Sequence, residues 1–313
     1  MTRYLTEYDV RQVLTMPLAV RLVETALEAR AEGRATDTPR VRTRMPQATL
    51  HVLQAAAPEL NRIAFKAYCT GLRSTPAHVH LYDAATGSLD AIVEASYLGT
   101  MRTGAASGVA TRCMAREDAT IVAMIGAGEQ AVGQLEGVCA VRPVREVRVY
   151  SRTERSRKFC DAMSSRIGVD MHAVSTAAEA VRGAHIVNVI TKSATPVLLG
   201  EWLEPGQHIN AAGSNSLARC ELDEAAVRRC DVIAVDSRGS ARLECGDLLS
   251  AVEKGLIQWD NLAELGEVIV GRRAGRTSPD QITLFESHGM GIQDLYVADK
   301  VVELSQSRRP VFD

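Results

Sequence analysis

ATIVAMIGAGEQAVGQLEGVCA, residues 119–140, passes from an apolar run through a glycine turn into a helical pattern, and its reading decides the fold. Ile121 to Ile125 is a run of the length and composition of a buried strand. Gly126, Ala127, Gly128, Glu129, Gln130 and Ala131 follow as GxGxxA. The first glycine of such a turn permits the tight bend, and the second lets the backbone approach a pyrophosphate. The small third residue, Ala131, lets the helix lie close on the strand. Phosphate charge then meets the amides and the positive end of the helix. With a strand before it and a helix after it, this is the Rossmann fingerprint of a dinucleotide-binding fold.

Downstream the alternation continues. VREVRVYSRT, VDMHAVS, AHIVNVIT, QHINAAG and DVIAVDS have strand character, with helical segments SRKFCDAMSSRI, AAEAVRG and ELDEAAVRRC between them. Strands separated by single helices imply a parallel, doubly wound α/β sheet. Upstream, helical spacing from Glu7 to Glu32 predicts two helices, the second opened by Pro17. TPRVRTRMP, LHVLQAAAP, NRIAFKAYC and AHVHLYDAATGSLDAIVEA then predict short strands of an antiparallel or mixed sheet, with a turn at 84–87. The tail GIQDLYVADKVVELSQSRR predicts a last helix. We therefore expect residues 1–115 with 290–313 to form a substrate-binding and dimerisation domain, and 116–289 the dinucleotide-binding domain.

A formal net charge of -2 gives no field to hold nucleic acid or an anionic membrane, which favours a small-molecule partner. The seven cysteines show no CxxC pair or clustered His/Cys set, so they are expected to be reduced cytosolic thiols and the sequence offers no metal site. No apolar run approaches the roughly 20 residues of a membrane span, and the N-terminus has no signal-like pattern, so a cytoplasmic protein is expected.

The strand after the glycine turn ends Tyr150-Ser151-Arg152-Thr153, without the acid that usually takes the ribose hydroxyls of NAD. Arg152 with the hydroxyls of Ser151 and Thr153 suits a 2'-phosphate, so NADPH is the expected cofactor. NADH stays open, with Glu154 as a ribose ligand.

Met101-Arg102-Thr103-Gly104-Ala105-Ala106-Ser107, followed shortly by IGAGEQA, resembles the signature of the ornithine cyclodeaminase/mu-crystallin family. Other pieces fall in family order, from Val41-Arg42-Thr43-Arg44-Met45-Pro46 and the Lys66 strand to Ile209-Asn210-Ala211-Ala212-Gly213, Cys220-Glu221-Leu222-Asp223 and Ile282-Thr283-Leu284-Phe285 with Gly289 and Asp294. The resemblance implies a homodimer and a carboxylate-bearing substrate handled as an imine. It also implies that Arg42, Lys66 and Arg102 bind the carboxylate, and that Thr103 and Thr191 join the glycine loop in holding the cofactor. Guanidinium forks grip carboxylates in two places, which would leave the imine carbon oriented.

Two positions depart from the family pattern. Asn215 stands where cyclodeaminases carry an aspartate, and an amide cannot act as a base near neutral pH. His78 stands where a threonine is common, with His80 on the same strand face. His78, Lys66 or Glu94 would supply the proton that imine reduction requires at nitrogen. His288 lies where the family's chain returns towards the cofactor. The expected activity is reduction of a small imino acid or reductive amination of a 2-oxo acid. Ornithine cyclodeamination and non-catalytic ligand binding remain the alternatives.

Overall fold

The computed structural model describes residues 2–71 and 76–306. The chain divides into two compact units, Met1–Arg102 with Gly289–Asp313, and Thr103–His288. The first break thus falls after Arg102 rather than after residue 115. Helix α3 runs through it unbroken, and from Thr103 onward its residues belong to the second unit.

The first unit is built from β1 (Arg3–Leu5), α1 (Glu7–Val13), α2 (Met16–Ala31), β2 (Thr36–Arg44), β3 (Thr49–Ala57), β4 (Arg62–Thr70), β5 (His78–Asp83), β6 (Leu89–Glu94), the start of α3 (Ser96–Met114) and the C-terminal helix Gly291–Gln306. Residues 307–309 of the expected last helix lie outside the described residues. Thr6 caps α1 in a reciprocal box with Asp9, and Pro17 sits in the first turn of α2. The strands form one sheet in the order β1-β6-β5-β4-β3-β2. The sheet is mixed, because β1 joins β6 in parallel while the other neighbours are antiparallel. The C-terminal helix packs on β2 to β5. Leu53, Ala55, Ala64, Val79 and Leu81 are buried on that face. The opposite face is apolar and open: Val41, Leu50 and Ile63 are 50%, 39% and 51% exposed.

The second unit contains β7 (Ile121–Ile125), α4 (Glu129–Cys139), β8 (Glu146–Tyr150), α5 (Arg155–Ile167), β9 (Asp170–Ala173), α6 (Ala177–Val181), β10 (Ile186–Val189), β11 (His208–Ala211), α7 (Glu224–Arg228), β12 (Val232–Val235), α8 (Arg238–Glu244), α9 (Leu249–Glu253), β13 (Ala263–Glu264), α10 (Leu265–Ile269) and β14 (Thr283–Glu286). The C-terminal helix of the first unit is therefore α11. All neighbouring strands are parallel, in the order β13-β12-β14-β11-β10-β7-β8-β9. After β7 the chain builds outward through β8 and β9, then crosses to the other side at β10. This reversal makes the carboxyl ends of β7 and β10 the switch point, where open α/β sheets bind ligands.

Close backbone contacts fix the geometry at this place. Gly126 has φ +114°, and a Cβ there would overlap the Ile190 carbonyl at the end of β10. A Cβ on Gly104 of α3 would overlap the Gly133 carbonyl of α4, and one on Gly137 of α4 would overlap Gly104. The two helices touch backbone to backbone. Between sheet and α3 runs a buried polar chain: Asn210 donates to Thr111 Oγ1 and to Asn188 Oδ1, both at 2.9 Å, and its own Oδ1 is 3.1 Å from His208 Nε2. Burial pushes the His208 imidazole down to about 3, so it is neutral and its Nε2–H donates to Asn210.

Gly104→Ala is expected to lower stability by about 3 kcal/mol, the upper range for overpacking, because the clash is with backbone. The check is a denaturation midpoint that falls at unchanged slope.

Candidate active site

In the second unit the Gly126–Ala131 loop caps the carboxyl end of β7. Gly128 is the N-cap of α4, is exposed, and a Cβ on it would meet no atom within 4 Å. Nothing inside the protein demands a glycine here, and the bare backbone leaves room for a group to approach from outside. No side chain caps α4, and of its first amides that of Ala131 donates to the Gly128 carbonyl at 3.1 Å. This arrangement fits a dinucleotide pyrophosphate.

Thr191 follows β10. Its amide donates to Glu221 Oε1 at 2.6 Å and its Oγ1 accepts from the Ser193 amide at 3.1 Å. A Cβ on Gly213 would overlap both Thr191 and Glu221, so the loops after β10 and β11 pack tightly beside the glycine turn. Burial raises Glu221 to about 7. Thr103 is half-buried, and its carbonyl accepts from Gln134 Nε2 of α4 at 3.4 Å. After β8, the Ser151 hydroxyl accepts from the Ser156 amide at 3.1 Å and donates to the Thr153 carbonyl at 2.6 Å. Thr153 Oγ1 accepts from the Arg155 amide at 3.4 Å. Both hydroxyls thus shape the start of α5, and Arg152 extends exposed beside them. Asn215, in the loop after β11, accepts through Oδ1 from Arg219 at 3.0 Å.

The first unit holds a buried cluster of charge. Lys66 points from β4 toward α11, where its Nζ lies 2.8 Å from Asp294 Oδ1 and 2.8 Å from Oδ2. Arg102, on α3, donates through Nε to Asp294 Oδ1 at 3.0 Å and through Nη1 to Gln293 Oε1 at 3.0 Å. Lys66 is 4% exposed, Arg102 6% and Asp294 1%. Desolvation, then Arg102, lowers Lys66 to about 7 against the pull of Asp294, with Arg40 adding to the lowering. Arg42 shares the sheet face, because its register partner is His51, which pairs Tyr68, two residues from Lys66.

His78 and His80 are not brought to this cluster. Lys66 pairs with Val79, so the two histidines face the opposite side of the sheet. His78 Nε2 is 3.3 Å from the Tyr4 hydroxyl, and His80 stacks on Phe65 at 4.5 Å. Glu94 accepts from Tyr4 at 2.9 Å and from the Glu7 amide at 2.7 Å, and Glu7 in turn takes the Ser96 amide at 2.6 Å, so Glu94 secures the starts of α1 and α3. His288 belongs to the second unit, where its amide donates to Asp236 Oδ2 at 2.7 Å. The sequence reading passed over Arg40, buried in a run of arginines that looks like solvated surface, and it named Asp294 only as a family match. An acid on the buried stripe of the last helix was the available signal.

The model of the ornithine cyclodeaminase/mu-crystallin family matches residues 2–309. A Delta(1)-pyrroline-2-carboxylate reductase of Bacillus cereus is 35% identical over 313 residues, spanning 96% of this chain and 95% of the relative. The alanine dehydrogenase of Archaeoglobus fulgidus is 33% identical over 98% of this chain and 96% of its own. Among solved structures, Thermococcus litoralis Delta(1)-pyrroline-2-carboxylate reductase in complex with NADH and L-proline superposes with a TM-score of 0.93 at 32% identity, covering 98% of each chain. A fingerprint loop at a switch point, a buried Lys–Asp–Arg cluster and this whole-chain match lead to one assignment: the chain belongs to the ornithine cyclodeaminase/mu-crystallin family.

Proposed function

We propose that this protein reduces the C=N bond of a small 2-imino acid, with five-membered cyclic ketimine carboxylates as the first class to test. The observation that carries the reading is Lys66, a buried ammonium poised near neutrality among two arginines and one carboxylate. Lys66, Arg102 and Arg40 bring cationic groups together at one place, and Arg42 on the same sheet face supplies a further guanidinium fork. The glycine loop and the N-terminus of α4 would hold the dinucleotide, whose reduced nicotinamide would supply hydride. Arg40, Arg42 and Arg102 orient the acid end. Lys66 delivers a proton to the substrate nitrogen as the carbon accepts hydride, so that C=N becomes CH–NH and Lys66 is left neutral. Relatives named as a pyrroline-2-carboxylate reductase and an alanine dehydrogenase support reactions that pass through an imine. Asn215, tied to Arg219, offers no base for a cyclodeamination.

The test is product analysis with cyclic ketimine carboxylates, and separately with 2-oxo acids plus ammonia. An amino acid formed with matching loss of reduced cofactor supports the proposal. Proline and ammonia from ornithine without net cofactor change would overturn it. Because Lys66 must begin protonated, kcat/KM for reduction is expected to fall as pH rises through about 7. Oxidation of the amine, which needs neutral Lys66, should rise through the same value. Lys66→Ala should lower kcat/KM by about 10²–10⁴-fold and remove that limb. A variant within a few-fold of the parent, with the same pH profile, would take Lys66 out of the proton transfer.

We further propose that NADPH is preferred, with Arg152 as the ligand of the 2'-phosphate, since the neighbouring hydroxyls are engaged in the start of α5. Arg152→Ala is expected to raise KM for NADPH at least about tenfold, the loss of one charge-assisted contact, and to leave KM for NADH nearly unchanged. Equal KM values for both cofactors in the parent protein would refute the preference.

The open face of the first sheet, with Val41, Leu50 and Ile63 exposed, supports a homodimer in which a second copy covers it. Sedimentation should show a dimer in the parent and a monomer in Ile63→Asp. A monomeric parent would reject this arrangement.

A further inference from the structure

Three side chains from two separate stretches of the sequence meet inside the second unit. Cys245 is the C-cap of α8, Glu286 ends β14, and His288 follows two residues later. One ligand atom from each, the thiol sulfur, a carboxylate oxygen and a ring nitrogen, lie within 4.8 Å of one another. Cys245 and Glu286 are fully buried and His288 is 3% exposed.

The surroundings make this grouping costly without a positive charge. Among the described residues no nitrogen or hydroxyl donates to either oxygen of Glu286, and the donor that acts on it is the neighbouring Cys245 thiol. The charged groups acting most strongly on Glu286 are Asp247, Glu221 and Asp236, all acids. A buried carboxylate so placed must take up a proton or a cation. The donor set argues for the cation. Sulfur, imidazole nitrogen and carboxylate oxygen together form the borderline-soft ligand set that selects zinc-type divalent ions. Asp236 takes the His288 amide and lies 3.4 Å from its Nδ1, the carboxylate support that orients a ligating histidine. Asp247 is held in place by the amides of Glu221 and Leu222 through Oδ1.

We propose that Cys245, Glu286 and His288 form a binding site for one zinc-type divalent cation. Binding replaces the thiol proton of Cys245 and the proton that Glu286 holds in the metal-free protein, and releases both to solvent, so no oxidant or reductant is involved. The ion joins the end of α8 to the end of β14 and neutralises the acids around it.

The experiment uses the full chain, stripped with a chelator and dialysed against zinc chloride, with metal content measured by elemental analysis. Cobalt chloride serves as a second probe for thiolate-to-metal charge-transfer absorption. One equivalent per chain, a raised thermal midpoint with zinc, and loss of both the equivalent and the cobalt band in Cys245→Ser are expected. Glu286→Gln, which keeps shape while removing a repelling charge, should stay folded by circular dichroism and bind at least about tenfold more weakly, for the loss of one charged ligand. Absence of stoichiometric uptake, or uptake unchanged in both variants, would overturn the proposal and leave protons as the neutralising charge.

Discussion

A lysine and an arginine buried side by side repel each other, and Asp294 is what allows them to coexist. Its carboxylate, brought in by α11, takes the Lys66 ammonium from β4 and the Arg102 guanidinium from α3. Removing one partner of such a buried group typically costs about 3–5 kcal/mol, because the charges left behind cannot reach water. The contact therefore also ties the last helix of the chain to strand and helix made long before it. It sets the chemistry as well. Burial and Arg102 draw Lys66 downward while Asp294 holds it up, and the balance rests at about 7. An ammonium there exchanges its proton at neutral pH, which an ordinary surface lysine does not do.

The second unit solves a different problem, the approach of backbone to backbone. Gly126 must pass under the end of β10, and Gly104 and Gly137 let α3 and α4 meet without side chains between them. Gly128 differs from all three, since its Cβ would meet nothing in the protein. Three glycines serve close packing, and the fourth leaves an open stretch of backbone at the surface.

How much of this was legible in the sequence follows from what each residue reports. The strand-turn-helix at 119–140 and the strands around it are local patterns, and they stand where they were expected. β14 went unread as a strand because its four residues are wholly buried in mid-sheet, include Glu286, and follow a long excursion rather than a helix. β1 is three residues long, too short for any alternation to show. Lys66 and Arg102 came from resemblance, since nothing local separates a buried lysine in IAFKAYC from an edge lysine. His78 shows where a readable signal was passed over. Val79 and Leu81 alternate with His78 and His80, and the apolar pair goes to the core, which sends the histidines to the other face.

The two buried charge clusters show why proximity, which sequence spacing does not report, decides what such residues do. In the first unit one acid sits between cations, and the result is a titratable group held close to neutrality. In the second unit acids crowd one another beside a thiol and an imidazole, and Glu286 and Cys245 are both driven well above their ordinary values. The same desolvation acts in both places, but the sign of the neighbours differs, so one cluster is suited to passing a proton and the other to holding a positive charge. Cys245, Glu286 and His288 come from two separate stretches of chain, and only the return of β14 to the middle of the sheet brings them together.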